Sequence, residues 1–350
     1  MINVLMIGVS KQRTGGMWSV AETYINSQEF NKKVNLTYIA TSTSGSTFNR
    51  VMCMLKGFYK IWKFTRIKKI DVAHVHMAEK GSTFRKGVII WFLHKKGIKT
   101  IVHMHAGPFC DWFNNLNFIY KNCITYFFKS ADKIIILGNY WLQQMSSILP
   151  KEKLTVLYNS VKTQDNVFNL NSQNIIYMGR INEKKGIWDL LEAIKLIRSN
   201  LPKDVNFFIY GEDETGKLSE NIVKFGLSEV VHLKGWISGK NKETAFRNAK
   251  LLLLPTYTEG LSMTILEAMS YGIPIVTTNI TTMPELLDGI CTLVEPGDVT
   301  ALGRSIIELV NSPRSLLKLS RLEYEKFMTS YSLPVMIENT LVIYKSVIES

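Results

Sequence analysis

Pro255-Thr256-Tyr257-Thr258-Glu259-Gly260-Leu261-Ser262-Met263-Thr264-Ile265-Leu266-Glu267-Ala268-Met269-Ser270-Tyr271-Gly272 follows the apolar run Leu251 to Leu254. Four leucines closed by a proline read as a buried strand that stops at Pro255. Ser262 is a good N-cap and Gly272 a good C-terminal stop, which predicts a helix over 263–271. The stretch is therefore a strand, a loop and a helix. Glu259 falls in the loop, and Glu267 lies just over one turn into the helix. The N–H groups of Ser262 and Met263 would point toward an anion. A diphosphate there would put Glu259 near an attached sugar and Glu267 near a ribose, whose hydroxyls suit carboxylate acceptors. Periodicity alone makes Glu267 a surface residue of an amphipathic helix, so the ligand reading depends on what surrounds it.

The same alternation runs along the whole chain. In the first half, strands are predicted at 3–8, 34–40, 71–76, 100–104, 133–137 and 154–157, with helices near 17–28, 50–69, 83–97, 113–130 and 139–147. After a polar, Asn-rich stretch from Thr163 to Asn174, new strands are predicted at 175–179, 205–210, 230–234, 250–254, 274–277 and 291–294. Helices are predicted near 186–199, 214–226, 241–248, 262–271, 284–288, 300–311 and 314–329. Strands that alternate with helices predict βαβ units and parallel sheets. Runs that are apolar throughout are those of strands covered on both faces. The fold class is α/β: two Rossmann-like domains in tandem, 1–165 and 166–333, with a last helix at 334–350 beyond them. Open α/β sheets bind ligands outside the carboxyl ends of their strands, so two facing sheets would enclose a cleft.

Two loops could hold a phosphate. The first strand runs into Ser10-Lys11-Gln12-Arg13-Thr14-Gly15-Gly16 before a helix, and adjacent glycines let a backbone approach a ligand closely. This is not G-x-G-x-x-G, which disfavours a standard dinucleotide site. In the second domain a strand ends Tyr177-Met178-Gly179-Arg180 and continues through Ile181 to Lys185-Gly186. Cations ahead of a helix N-terminus oppose its dipole unless an anion lies between them. Arg180 offers a planar fork and Lys185 a point charge for a diphosphate; a solvated basic loop is the plainer reading.

Composition narrows the classes further. With 46% hydrophobic and 20% charged residues the chain is globular rather than disordered. The apolar start Met1 to Val9 is short and lacks a basic leader and a cleavage site, so it reads as a strand rather than a signal peptide. No run of about 18 apolar residues, the length a bilayer-spanning helix needs, occurs. Cys53, Cys110, Cys123 and Cys291 have no paired spacing and are expected as free thiols of a cytoplasmic protein. Of the net charge of +13, residues 1–165 carry an excess of +15, with 23 Lys and Arg against 8 Asp and Glu. A polyanionic partner of the first half is expected: an anionic membrane face, a nucleic acid or a phosphorylated acceptor. No nucleic-acid-binding module is recognisable, and nucleic acid is not favoured as a partner.

These residues resemble family 4 of the retaining glycosyltransferases, with the GT-B fold. The resemblance rests on G-R-x(4)-K-G after a strand, E-G-x(6)-E-A-M-x-x-G-x-P-[IV]-[VI] about 75 residues later, and Pro284-Glu285. Gly15-Gly16, Asp71 to His76 and His103-Met104-His105-Ala106 fit the acceptor domain in order and spacing. The resemblance implies transfer of a hexose from a nucleotide-diphosphate sugar, with retention of configuration, no metal and no cofactor beyond the donor. A UDP-sugar is expected over a GDP-sugar, and a glycan or polyprenyl-linked acceptor in surface polysaccharide synthesis. It makes His105, Arg180, Lys185 and Glu259 the catalytic set. Gly15, Gly16, Trp236, Ile237, Leu261, Ser262, Met263 and Glu267 would hold the donor, with Trp236 and Ile237 bordering the base and Glu267 on the ribose. His103 is expected to be structural, and His74 and His76 to pack on a buried strand without a metal. Asn159 matches the Asn of the interdomain N-G-V turn, although Ser160 stands where glycine is usual. Glu212-Asp213-Glu214 is expected as a solvated loop, and the last helix to return to the first domain.

Residues 50–69 combine Lys56, Lys60 and Lys63 on one helix face with Leu55, Phe58, Trp62 and Phe64. This suits an interfacial helix on the inner leaflet, where each cation contributes about 1 kcal/mol. Part of its apolar surface must also pack on the sheet. Phe109, Trp112 and Phe113 either line the acceptor cleft or belong to the core. Two other classes remain as alternatives. A nicotinamide-dependent oxidoreductase or epimerase lacks its glycine fingerprint here. A non-catalytic nucleotide-sugar or membrane-binding protein of the same fold would have no need of the intact Arg180, Lys185, Glu259 and Glu267.

Overall fold

A computed structural model of the chain describes every residue except Thr14, Ala106 and Pro108, so parts of the 10–16 loop and of the Met104–Gly107 motif lie outside the described residues. The described residues form two compact units. Unit 1 comprises Met1–Val161 with Leu333–Ser350, and unit 2 comprises Lys162–Ser332. The boundary falls four residues ahead of the expected 165/166.

Unit 1 is built on a parallel sheet of β1 (Ile2–Gly8), β2 (Val34–Ala40), β3 (Val72–Met77), β4 (Thr100–Met104), β5 (Lys133–Ile136) and β6 (Leu154–Val156). Their spatial order is β2-β1-β3-β4-β5-β6. Unit 2 repeats the plan with β7 (Asn174–Met178), β8 (Asn206–Tyr210), β9 (Val231–Gly235), β10 (Ala249–Leu254), β11 (Ile275–Thr278) and β12 (Thr292–Val294), ordered β12-β11-β10-β7-β8-β9. All residues of β3 and β10 are buried, as helix-covered strands require. Leu251 to Leu254 are each 0–1% exposed, and burying one leucine contributes about 2 kcal/mol.

Short polar caps account for where helices divide. The helix expected at 17–28 spans Gly16–Asn26, and a short helix that was not expected, Gln28–Lys33, follows it. Ser27 between them is extended, and its hydroxyl accepts from Phe30 N at 3.2 Å. Likewise 113–130 divides into Phe109–Asn114 and Phe118–Lys129, where Asn117 caps Tyr120 N at 3.1 Å. The last helix, Leu333–Glu349, belongs to unit 1. Its Thr340 Oγ1 meets Tyr24 Oη at 2.8 Å, and its Tyr344 Oη meets His74 Nδ1 at 2.6 Å.

Strand order locates the ligand positions. In unit 2, β7 lies between β10 and β8, so chain direction diverges between β7 and β10. The loops leaving those two strands therefore frame the switch point, and they carry 179–186 and 255–262. In unit 1 the corresponding point lies between β1 and β3.

Candidate functional site

In unit 2 the two switch-point loops are tied together by backbone. Tyr257 N donates to Lys184 O at 2.9 Å, and Thr256 Oγ1 donates to the same carbonyl at 3.1 Å. Gly186 adopts φ 65°, and a Cβ there would lie 1.7 Å from Pro255 O, so glycine is what lets the loops touch. Thr281 Oγ1 and Thr282 Oγ1, after β11, donate to Glu259 O and Gly260 O, both at 3.1 Å.

This bracing brings Lys185 against Glu259. Lys185 Nζ lies 2.5 Å from Glu259 Oε1 and 3.4 Å from Thr258 O, and both side chains are largely buried. Arg180 takes a different partner: Nη1 lies 3.3 Å from Glu214 Oε1, and its side chain is 59% exposed. Glu212 to Glu214 lie in a loop outside the named helices and strands, with both glutamates exposed as expected and Asp213 half-buried. Asp213 accepts from Thr215 N, Gly216 N and Leu218 N at 2.9–3.1 Å, and Asn182 Nδ2 donates to Glu214 at 2.7 Å. A dense set of N–H groups on one carboxylate makes this a fixed turn.

The helix expected at 263–271 spans Met263–Tyr271, with Gly272 in the left-handed conformation behind it. Ser262 takes the N-cap position but its hydroxyl makes no capping bond, which leaves the N-terminal amides without a side-chain cap. Leu261 and Ser262 are buried and Met263 is partly so. Glu267 Oε1 holds Lys242 Nζ at 2.6 Å, while Oε2 is enclosed without a hydrogen-bond partner. Burial raises the Glu267 pKa and the Lys242 ammonium opposes that rise. An enclosed carboxylate oxygen with no donor is costly unless a ligand supplies one. Trp236 follows β9 and is 56% exposed, beside a partly buried Ile237.

Unit 1 gathers a different set. His74 and His76 of β3, with His103 of β4 and His105 just past its end, lie on one face of the sheet, because His76 pairs with His103 in register. Their rings stack: His74 on His76 at 4.7 Å, His76 on His103 at 5.2 Å and His103 on His105 at 4.2 Å between centroids. His74 Nε2 lies 3.1 Å from His103 Nδ1, and His76 Nδ1 lies 2.7 Å from His105 Nε2. Burial drives all four pKa values down, those of His74 and His105 to about 3, so the rings are neutral at physiological pH. Nitrogens of His74, His76 and His103 lie within 4.8 Å of one another.

Gly15 has φ 127°, and a Cβ at that position would meet nothing within 4 Å, so the start of the Gly16–Asn26 helix requires glycine for conformation rather than for space. Lys86 is fully buried, its Nζ 3.1 Å from Gly8 O at the end of β1. Phe109 and Phe113 are core residues at 1% and 7% exposure, which places them outside a cleft-lining role. Asn159 is buried with Oδ1 unpartnered. Sequence reasoning missed Lys242, Glu214 and the Thr281–Thr282 brace, all of which reach the site from separate elements. Only the period-two spacing His74/His76 and His103/His105 signalled the histidine stack.

Two doubly wound parallel sheets in tandem, with the last helix returned to the first unit, make the GT-B architecture. Residues 160–326 match the family described as glycosyl transferases group 1. An uncharacterized glycosyltransferase of Methanocaldococcus jannaschii is 30% identical over 266 residues, 73% of this chain and 70% of that protein. An uncharacterized 41.2 kDa protein in the cps region of Klebsiella pneumoniae is 27% identical over 81% of this chain and 84% of its own length. Sucrose-phosphate synthase of Thermosynechococcus elongatus superposes with TM-score 0.80 at 12% identity, covering 99% of each chain. HepE of Anabaena, solved with UDP and glucose, gives 0.73 at 15% identity over 99% of this chain and 100% of that one. The chain belongs to the group 1 glycosyl transferases.

Proposed function

We propose that this chain transfers a hexose from a nucleotide-diphosphate sugar to a glycan or polyprenyl-linked acceptor of a surface polysaccharide, with retention of configuration and without a metal. The observation that carries the reading is the unpartnered, enclosed Oε2 of Glu267, one turn behind a helix start that no side chain caps and next to the braced Lys185–Glu259 loops. Each part answers one part of such a donor. The helix start and Lys185 suit the diphosphate, where negative charge grows as the glycosidic bond breaks. Glu267 Oε2 suits a ribose hydroxyl, and Glu259 suits hydroxyls of the sugar. At rest Glu259 compensates Lys185, so the arriving phosphate takes over a cation already in place. Arg180, half free of Glu214, joins it. Trp236 offers an exposed ring for a base, and His105 of unit 1 is the catalytic histidine that the family resemblance assigns. Uridine is the base we favour, supported by the UDP complex of HepE. A galactosyltransferase of Escherichia coli that acts on a diphosphoundecaprenol-linked sugar, 24% identical over 65% of this chain and 62% of its own length, supports the acceptor class.

The acceptor class also fits the surface of unit 1. On the Thr47–Ile67 helix only Gly57 and Ile61 are buried. Phe48, Leu55, Tyr59 and Trp62 are 72%, 54%, 60% and 40% exposed, and Arg66 lies 4.0 Å over the Trp62 ring. Aromatic and cationic groups along one outward face suit an anionic membrane surface on the cytoplasmic side. Lys11, Lys56 and Lys60 line a cavity of about 640 Å³, which suits a phosphate-bearing head group. Among the described residues no helix is long and apolar enough to cross a membrane.

Incubation with UDP- and GDP-hexoses, read by proton NMR at the anomeric centre, tests the reading. The expected outcome is slow donor turnover, undiminished by a chelator, that releases UDP and gives a product with the donor's anomeric configuration. An inverted product, or a requirement for a divalent metal, would contradict it.

A further inference from the structure

Three buried histidines of unit 1 and the half-buried His105 beside them pose a proton-placement question that their partners answer. Each neutral ring carries one N–H, and the nitrogen that carries it is set by the bond made at the other. Two ring nitrogens, His76 Nε2 and His103 Nε2, are enclosed with no partner. A ring lone pair left facing apolar atoms loses less than an N–H left without an acceptor, because orphaned buried donors are the rarer and costlier defect. The His76 proton therefore lies on Nδ1, where it is donated to His105 Nε2 across 2.7 Å. His105 Nε2 then accepts, so the single proton of His105 lies on Nδ1. The same reasoning puts the His103 proton on Nδ1, donated to His74 Nε2 at 3.1 Å, and the His74 proton on Nδ1, donated to Tyr344 Oη at 2.6 Å. All four rings thus share one tautomer, with every N–H at Nδ1.

We propose that His76 is a positioning residue for His105: by donating from Nδ1 to His105 Nε2 it holds His105 as the Nδ1–H tautomer, so that His105 meets its substrate as a hydrogen-bond donor and not as a base. The stack reinforces this, since His105 lies on His103 at 4.2 Å and on His76 at 5.0 Å, which fixes the ring plane as well as the proton. His76 and His103 are fully buried, and Tyr344 of the last helix closes the far end of the array. A donor at that place can hold a sugar hydroxyl or meet negative charge, and it has no lone pair free to deprotonate an acceptor. The substrate part of this inference rests on the transferase reading above; the tautomer does not.

The test uses the full chain labelled with ¹⁵N-histidine. Long-range proton–nitrogen correlation spectra distinguish the protonated from the bare ring nitrogen, and single His→Gln changes assign each ring. The expected result is His105 protonated at Nδ1 in the wild type, with that signature lost or mixed in His76→Leu. Transfer should fall about 10- to 100-fold in His76→Leu, the range by which removing a partner that orients a metal-bound histidine lowers activity. His76→Asn offers an amide near the place of Nδ1 and should recover most of the loss. A wild-type His105 protonated at Nε2 overturns the proposal even if His76→Leu misfolds, as does an Nδ1–H signature that survives His76→Leu. If the tautomer is as stated but His105→Ala leaves transfer unchanged, the involvement of His105 in transfer fails and the positioning role fails with it.

Discussion

Units 1 and 2 share one plan, a six-stranded parallel sheet with its polar residues gathered beyond the carboxyl ends, yet they solve the burial of polar groups in opposite ways. Unit 2 pairs charges. Lys185 faces Glu259 at 2.5 Å, Lys242 faces Glu267 at 2.6 Å and Arg180 faces Glu214 at 3.3 Å. Unit 1 neutralises them instead. Its stacked histidines and the fully buried Lys86 are pushed toward neutrality by burial, its ion pairs such as Lys69–Asp71 lie nearer the surface, and among the described residues Lys11, Lys56 and Lys60 have no carboxylate within salt-bridge range. The difference teaches which unit expects which partner. Paired cations can exchange a carboxylate for a phosphate and return to it afterwards, as a cycle of donor binding and nucleotide release requires. Unpaired cations on a surface with an excess of positive charge await an anion that comes from outside the protein.

The largest effect should come from breaking the tightest pair of unit 2. Lys185→Ala removes the cation held closest to the switch point and leaves Glu259 uncompensated, and transfer should fall on the order of a hundredfold in steady-state assays. Arg180→Ala, at an exposed cation, should cost about tenfold. Equal losses in the two would mean that burial does not grade their roles. Glu267→Gln sharpens the comparison next. The amide can still meet a hydroxyl, but Lys242 loses its counter-charge, so the donor KM should rise about tenfold with kcat little changed. A kcat effect instead would move Glu267 toward the reacting centre.

Acid stability separates the two modes by sign. Folded His74 and His105 stay neutral down to about pH 3, whereas unfolded histidine protonates near 6.5. The unfolded chain therefore binds more protons between those values, and stability is lost as pH falls through that window, on the order of 1 kcal/mol per histidine per pH unit. Glu323 in unit 2 runs the other way. Burial holds its pKa well above 4.5 while Ile275 N donates to it, so its contribution shrinks as pH rises. Thermal melts from pH 7 to pH 4.5 should show a falling midpoint that His74→Phe makes shallower. A midpoint independent of pH would mean that the histidines are charged in the native state. The smallest effect belongs to the surface: Trp62→Ser should weaken co-sedimentation with anionic vesicles severalfold and leave solution transfer unchanged. Equal binding of the wild type to neutral and anionic vesicles would remove the membrane from the account.

Much of this was legible in the residues, for reasons that differ by element. β10 and the helix after it were readable because Pro255, Ser262 and Gly272 each restrict the backbone locally. The strands were readable because helix-covered strands are apolar throughout. The short helix after Ser27 and the break before Asn117 were not, since both start from a single polar cap inside a stretch of continuing sequence. The Lys242–Glu267 pair escaped because 25 residues and a strand separate its members. Tyr344 lies 270 residues from the His74 it meets, and no local period reports such a contact. The 212–214 acids read correctly as a loop, but the amides of Thr215, Gly216 and Leu218 that fold around Asp213 left no mark in the composition.

The most direct measurement is a calorimetric titration of UDP into the full chain and into its Lys185→Ala and Glu267→Gln variants. The account predicts one site in the wild type and at least tenfold weaker binding in each variant. Binding unaltered by both substitutions would contradict the assignment of the nucleotide diphosphate to the switch point of unit 2.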